Sequence, residues 1–371
     1  MARRKRIIFL DIMRAFAVMM MVQGHTTDAL LDQSYRTFSS AGYTIWEFFR
    51  GFTAPIFMFT SGTVFTYLFK LNNLPFKDNP RVLKGLKRFL LLVFIGYLLR
   101  FPTWNIFDYS QVEEKQWQIF FVVDALHLIG FGLLFIIVLS YLSEKIKLNY
   151  YITGIAGTFF FFLIYPLTIT IDWSSIFPAP VAAYFTKRTG SLFPFFPWIG
   201  YILAGSVLGK FLAKKEDDHK NIKFVIWLAV IGGGFIVFSY LGKLNISLIK
   251  NWLPYWGEYA FVAFFRLGMV IIFNSFAALI SLKVNSLPKL VAQIGTHTLL
   301  IYAVHLIILY GSAWNNGFYR YIARQLNVTQ TILAVILMWA AMIIMVISIE
   351  KYKLHRKKLN NNKMNTAHEK I

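Results

Sequence analysis

Acid–base and ion-pair partners stand three residues apart inside apolar stretches of this chain. They are Asp11–Arg14, His25–Asp28, Glu47–Arg50 and Asp124–His127. Residues three apart share one face of a helix, so each pair can partly neutralise itself on a single stripe. Ionisable groups within a bilayer are costly and usually serve a function. The spacing therefore predicts acid–base chemistry inside a membrane protein.

Arg14 and His25 are eleven residues apart in the first apolar stretch. Eleven steps of about 100° return to nearly the same helix face, about 16 Å further along the axis. We predict an acid–base site near the outer membrane surface, with Arg14 deeper on the inner side. The other residues expected at the outer depth are Asp28, Glu47, Arg50, Asp124 and His127.

Structural interpretations of the same residues stay open at this point. Glu47–Arg50 has the spacing of a structural salt bridge, and Asp124–His127 that of a satisfied buried pair. His25 alone is compatible with helix packing. The late residues His297 and His305 are interpreted as packing or hydrogen-bonding groups, and Arg100 and Arg266 are given no role.

The composition is that of a protein embedded in a membrane. Of 371 residues, 57% are hydrophobic and only 15% are charged, whereas a soluble domain has about 25% charged residues. The mean hydropathy is +0.56. These values exclude a disordered chain, a disulfide-rich secreted domain and an ordinary soluble enzyme. Because the chain has no cysteine, thiolate catalysis and thiolate metal sites are excluded as well.

Ten apolar runs are long enough to cross the hydrocarbon core, which takes about 20 residues. We therefore predict an all-α polytopic transmembrane bundle of about ten helices, forming one domain over residues 1–350. The polar tail, 351–371, is predicted to be disordered. The predicted spans are 8–28, 44–69, 88–103, 119–142, 150–171, 193–213, 222–242, 259–281, 290–312 and 329–349.

The positive charge is distributed as the positive-inside rule expects. The net charge is +21, and the loops on the side of the termini carry 26 Lys and Arg residues against 8 on the other side. Both termini are therefore predicted to be cytoplasmic. Since the charge is spread over six loops, no nucleic-acid partner is expected.

A basic set stands at the cytoplasmic entry of the third predicted span. It comprises Arg81, Lys84, Lys87 and Arg88. Two interpretations are open: positive-inside anchoring, or a clamp for a phosphate-rich cytosolic ligand. The sequence has no Walker motif and no dinucleotide fingerprint, so direct ATP hydrolysis is not expected.

Several segments carry a family resemblance by their order and spacing. They are 10–15 (LDIMRA) running on to Gly24 and His25, 54–62 (APIFMFTSG), 87–96 (KRFLLLVFIG), 123–130 (VDALHLIG), 193–200 (FPFFPWIG) with Gly205, and 295–305 (GTHTLLIYAVH). Together they resemble the membrane acyltransferases of the heparan-α-glucosaminide N-acetyltransferase type. The Arg14–His25 spacing is also similar to the first helix of the acyltransferase-3 family. In this chain Ala15 stands where relatives often have Gly, and His127 where they often have Gln.

The resemblance implies an enzyme that carries an acetyl or short acyl group across the membrane. The donor would be cytosolic acetyl-CoA or another acyl-CoA, with no metal. The acceptor would be a hydroxyl or amine of a sugar or glycan on the far side. Membrane lipids and a homo-oligomer are further expected partners, and a bacterial inner membrane is the expected location.

Site roles follow from the same resemblance. His25 would act as general base, with Asp28 or Glu47 orienting it, or would itself carry the acyl group. Arg50, Ser61 or His127 would stabilise the oxyanion. The expected catalytic residues are His25, Asp28, Glu47, Arg50, Asp124 and His127, and the expected donor-binding residues are Arg14, Arg81, Lys84, Lys87 and Arg88.

Two other classes of function compete with an enzyme. Intramembrane Asp, Glu and His chains also form proton relays, so a proton-coupled transporter is the main alternative. Transporters are often built from two repeated halves, and no such repeat is evident in the sequence. A sensor or scaffold without catalytic activity is the third possibility.

Overall fold

The computed structural model describes residues 7–215, 217–244, 256–284 and 286–368, which are almost wholly helical. A single two-residue hairpin in this part pairs β1 (Gly311–Ser312) with β2 (Asn315–Asn316). The helices are α1 Ile8–Leu30, α2 Ala41–Arg50, α3 Thr53–Lys70, α4 Arg81–Leu99, α5 Glu114–Phe120, α6 Ala125–Lys145, α7 Tyr150–Thr170, α8 Trp173–Ile176, α9 Ala179–Ala182, α10 Phe195–Lys214, α11 Ile222–Leu244, α12 Trp256–Leu282, α13 Lys289–Thr296, α14 Thr298–Tyr310, α15 Tyr319–Ile322 and α16 Val328–His368.

Eight helical stretches of the described residues are long and apolar enough to cross a membrane. They are α1, α2 with α3, α6, α7, α10, α11, Tyr259–Leu282 of α12 and Val328–Lys357 of α16. The pair α13 and α14, bent by 74°, forms a ninth if it is one span. The predicted all-α polytopic bundle is confirmed.

In the part of the chain that it describes, the structure gives fewer membrane spans than the ten predicted from the sequence, and the third predicted span accounts for part of the difference. The predicted span 88–103 is helix α4, which begins at Arg81 and ends at Leu99. Its 19 residues extend about 28 Å, but its first two turns carry four Lys and Arg residues. Length and composition thus give eight or nine spans in the described residues, and ten only if α4 also crosses.

Three predicted spans are interrupted rather than continuous. The second is divided at Gly51 and Phe52, between α2 and α3. The fourth is interrupted after Phe120, and α6 starts only at Ala125, because the Asp124 side chain caps the helix there. The ninth turns at His297, between α13 and α14. The first two interruptions lie beside predicted site residues.

The polar tail, predicted to be disordered, is helical in its described part, and its disorder in the membrane stays a prediction. Helix α16 continues through it to His368. Lysine is a good helix former, and Lys353 forms an ion pair of 2.9 Å with Glu350 one turn earlier. The described tail residues therefore extend the last membrane helix.

Helices α3 and α10 form the closest backbone contact of the bundle core. A Cβ on Gly205 would lie 1.9 Å from the carbonyl oxygen of Phe59, and one on Gly62 would lie 2.0 Å from that of Ile202. Small residues let membrane helices approach closely, which maximises van der Waals contact between them. Glycine at these positions thus sets the spacing of α3 from α10.

Replacing Gly205 with alanine is expected to destabilise the protein by about 1–3 kcal/mol or more, because the added Cβ would collide with backbone rather than a movable side chain. The melting temperature in detergent, followed by tryptophan fluorescence, should fall. Gly233→Ala is the control, since nothing lies within 4 Å of a Cβ there. An unchanged melting temperature for Gly205→Ala would contradict the α3–α10 contact.

Helix α1 packs against helices from both halves of the chain, and the end that follows Asp28 is tied to a loop. It packs against α3, α12, α13, α14 and α16. After α1, Leu31 forms a parallel bridge with Leu326, and the backbone N–H of Arg324 donates to the carbonyl oxygen of Ala29. These bonds fix the end of α1 that carries His25 and Asp28.

Candidate active site

Arg50, the last residue of α2, joins that helix to the C-terminal end of α1. Its guanidinium donates to both carboxylate oxygens of Glu47, at 2.9 and 3.0 Å, and to the carboxylate of Asp28. Arg36 lies 3.8 Å from Asp28 and donates to three backbone carbonyls at the C-terminal end of α1. The predicted Glu47–Arg50 pair is present. Both carboxylates bind arginine, however, and neither hydrogen-bonds the ring of His25, which the sequence analysis expected them to orient.

His25 instead faces a second imidazole. Its ring centroid lies 5.4 Å from that of His305 on α14, and the Tyr310 ring stands edge-on at 6.3 Å. The Nδ1 of His305 lies 2.8 Å from the carbonyl oxygen of Ile301, and its Nε2 is buried without a hydrogen-bond partner among the described residues. A buried polar atom without a partner is unusual and is often explained by a water or ligand.

Asp124 organises a third group at the same end of the bundle. Its carboxylate accepts backbone N–H bonds of Leu126, at 2.9 Å, and His127, at 3.3 Å, and lies 2.9 Å from Nδ1 of His127. The Nε of Arg100 lies 3.7 Å from the other carboxylate oxygen. Arg50, Arg100 and Asp124 all interact electrostatically with His25. The predicted Asp124–His127 contact is present, but it is a helix cap and not a mid-helix pair.

His127 is completely enclosed. A Cβ on Gly96 would lie 2.5 Å from its Cε1, and the Tyr97 ring stands edge-on at 4.3 Å. The hydroxyls of Tyr97 and Tyr184 are 2.8 Å apart. Burial raises the pKa of Tyr184 well above its ordinary value, so this hydroxyl stays protonated. The Nε2 of His127 is buried and has no hydrogen-bond partner in the described part of the chain.

Asp124→Ala is expected to lower the unfolding free energy by about 1–2 kcal/mol, because it removes the N-cap of α6. Asparagine keeps a capping oxygen without the charge, so Asp124→Asn should melt above Asp124→Ala. Melting temperatures of the two detergent-purified variants provide the comparison. Equal values would show that the cap does not stabilise α6.

A cavity of about 340 Å³ lies toward the opposite end of these helices, between α1, α3, α4, α6 and α14. Its wall carries the hydroxyl side chains of Thr60, Ser61 and Thr298 among apolar residues. Four of the five predicted donor-binding residues line it, namely Arg14, Arg81, Lys84 and Arg88. The structure therefore brings cations from two helices distant in sequence to one cavity.

Lys87 is the predicted donor-binding residue that does not line this cavity. It lies about 100° around α4 from Arg88. Arg81, Lys84 and Arg88 recur every three or four residues and so share the inward face. Lys87 is therefore a cation of the same helix on a different face.

The basic cavity leads toward the buried imidazole of His127. Leu92, about 16 Å along α4 from Arg81, lines it, as does Leu126 of α6. Gly96, one helical turn beyond Leu92, packs directly against the ring of His127. About one turn of α4 thus separates the lining of the basic cavity at Leu92 from the imidazole of His127.

Four residues near His25, Arg50 and Asp124 had no catalytic role in the sequence analysis. Arg36 and Arg100 follow helix ends, and His305 and Tyr310 belong to the late segment of the chain. A signal for Arg100 was its place at the outer end of α4, level with Asp124. Their contacts cross between helices, so local spacing did not reveal them. Among the described residues, no group of three or more His, Asp or Glu side chains is arranged to hold a metal.

Helices of this length and composition, with ionisable groups at both ends of the bundle, define an integral membrane protein. Residues 6–243, nearly two thirds of the chain, match the family model described as heparan-alpha-glucosaminide N-acetyltransferase, catalytic. The chain therefore belongs to this family of membrane N-acetyltransferases. The match contains every predicted site residue, whereas His305 and Tyr310 lie beyond it. No curated protein and no solved structure matches the chain significantly.

Proposed function

We propose that this protein transfers an acetyl group from acetyl-CoA to a hydroxyl or amine of a sugar on the opposite side of the membrane. The observation that carries the proposal is the separation of two chemistries within one bundle. Arginine and lysine side chains, which suit phosphate, line a cavity at one end of the bundle. Imidazole and carboxylate side chains lie together at the other end. Membership of a membrane acetyltransferase family supports the type of reaction.

The donor's phosphates would bind Arg14, Arg81, Lys84 and Arg88. Guanidinium groups suit phosphate because they form bidentate charge-assisted hydrogen bonds. The flexible arm of CoA would extend along the cavity past Ser61 toward Leu92 and Leu126. Since the basic loops mark the cytoplasmic side, the donor is taken from the cytosol. We place the protein in a bacterial inner membrane, in line with its resemblance to compact bacterial relatives.

His25 would act as general base in the transfer. The acceptor oxygen or nitrogen attacks the thioester carbonyl carbon, and a ring nitrogen of His25 takes the proton that the acceptor loses. The carbon–sulfur bond then breaks, the acetyl group stays on the acceptor, and the CoA sulfur receives that proton. Arg50, Ser61 and His127 are the candidate donors for the oxyanion.

Aromatic side chains at the outer surface offer a place for a sugar ring. Trp314 stacks on Phe101 with a centroid distance of 5.9 Å, and its indole N–H donates to the carbonyl oxygen of Trp104 at 3.3 Å. Trp104 is 73% exposed. Phe101 follows Arg100, which pairs with Asp124, so this surface adjoins the acid–base group.

Calorimetric titration of the detergent-purified protein with acetyl-CoA tests the donor side. Micromolar binding is expected, with CoA alone competing for the same site. Absence of binding up to millimolar acetyl-CoA would contradict the proposal. Proton-coupled flux in proteoliposomes without any acyl-CoA would favour the transporter alternative instead.

A further inference from the structure

A second cavity, of about 780 Å³, lies between α7, α10, α11 and α12 and shares no lining residue with the basic cavity. Its walls are almost entirely apolar and aromatic. It continues into a pocket of about 290 Å³, and Phe159, Ile231 and Phe235 line both. We call the two together the α7–α11 crevice.

The crevice exists because α7 and α11 both pack against α12 more than on each other. Helix α7 packs against α10 and α12, and α11 packs against α12. Across the gap the Phe159 and Phe235 rings approach to 6.3 Å. Trp227 and Ile231 on its wall remain 65% and 46% exposed. In a membrane, apolar surface of this kind is covered by hydrocarbon chains.

One end of the crevice is polar and carries positive charge. Lys215, Asp218 and Asn221 of the loop between α10 and α11 line it there, together with Lys223 in the first turn of α11. The Nζ of Lys215 lies 3.1 Å from the Asp218 carboxylate, so Lys223 provides the excess positive charge of this mouth. This loop belongs to the side that the positive-inside rule assigns to the cytoplasm.

We propose that the α7–α11 crevice binds one anionic phospholipid of the inner leaflet. The phosphate sits at Lys215 and Lys223, since basic residues at the membrane surface attract anionic headgroups. One acyl chain follows α11 to Phe235, about 18 Å from Lys223 and close to the depth of one leaflet of a hydrocarbon core about 30 Å thick. The site is separate from acetyl transfer and does not depend on it.

Native mass spectrometry of the purified protein with dioleoylphosphatidylglycerol or dioleoylphosphatidylcholine tests the headgroup. The wild type is expected to retain one phosphatidylglycerol with at least fivefold preference. The double variant Lys215→Gln/Lys223→Gln should lose that preference. Lys214→Gln/Lys220→Gln removes the same charge from the same region, at residues that do not line the crevice, and should keep the preference. Equal retention of both lipids by the wild type overturns the proposal.

Substitutions at two neighbouring glycines of α11 test whether an acyl chain lies in the crevice. Nothing lies within 4 Å of a Cβ on Gly233 or Gly234, but only Gly234 lines the crevice. Gly234→Leu should therefore reduce retained phosphatidylglycerol at least fivefold, whereas Gly233→Leu should not. Equal retention in the two variants overturns the proposal. A wild type that is dimeric and a Gly234→Leu variant that is monomeric would also overturn the proposal, since the occupant of the crevice would then be a second copy of this chain.

Discussion

Replacing His25 with alanine is expected to reduce acetyl transfer from labelled acetyl-CoA by about 100-fold or more. Loss of a general base typically costs between about 10² and 10⁴ in rate. His25 lies beside His305 and within the field of Arg50, Arg100 and Asp124, so its loss removes the imidazole around which this end of the bundle is arranged. Donor binding, measured by calorimetry, should stay within about twofold of wild type because the basic cavity lies elsewhere.

The matched control is His355→Ala, an exposed histidine on the C-terminal extension of α16. It should retain full activity. Added imidazole should partly restore transfer by His25→Ala if the missing group is a base, whereas a packing role would not respond. Undiminished transfer by His25→Ala in membranes would refute the assignment.

Arg14→Gln and Arg88→Gln are each expected to weaken acetyl-CoA binding by about tenfold. Hydrogen bonds to charged groups contribute about 1.5–3 kcal/mol, and 1.4 kcal/mol is a factor of ten in the dissociation constant. Both arginines line the basic cavity although they lie on α1 and α4. Calorimetric dissociation constants at two salt concentrations provide the measurement, and the salt dependence should decrease in both variants.

Lys87→Gln is the matched control for these variants. It removes one positive charge from the same helix as Arg88, but its side chain does not line the cavity. Its dissociation constant should stay within about twofold of wild type. An effect as large as that of Arg88→Gln would mean that general surface charge attracts the donor, and the cavity would lose its assigned role.

The sequence predicted the parts of this site that depend on local spacing. The contacts Glu47–Arg50 and Asp124–His127 are both present, as the three-residue spacing indicated. The same rule did not foresee that Asp124 begins a helix, because a capping side chain competes with continuation of the apolar run. It also did not predict that Arg88 lines the basic cavity and Lys87 does not. Adjacent basic residues cannot be told apart in this way until it is known which face of the helix is turned toward the cavity.

By itself, the sequence determined a membrane-spanning, all-helical chain, since the length of apolar runs alone decides what can cross a bilayer. It also determined which ionisable groups lie within those runs. Only the tertiary structure decided their partners: Asp28 binds Arg50 of α2, and His25 faces His305, 280 residues later in the chain. Such pairs depend on how helices rotate and pack against one another, and close contacts such as that of Gly205 with Phe59 set that packing across the whole bundle.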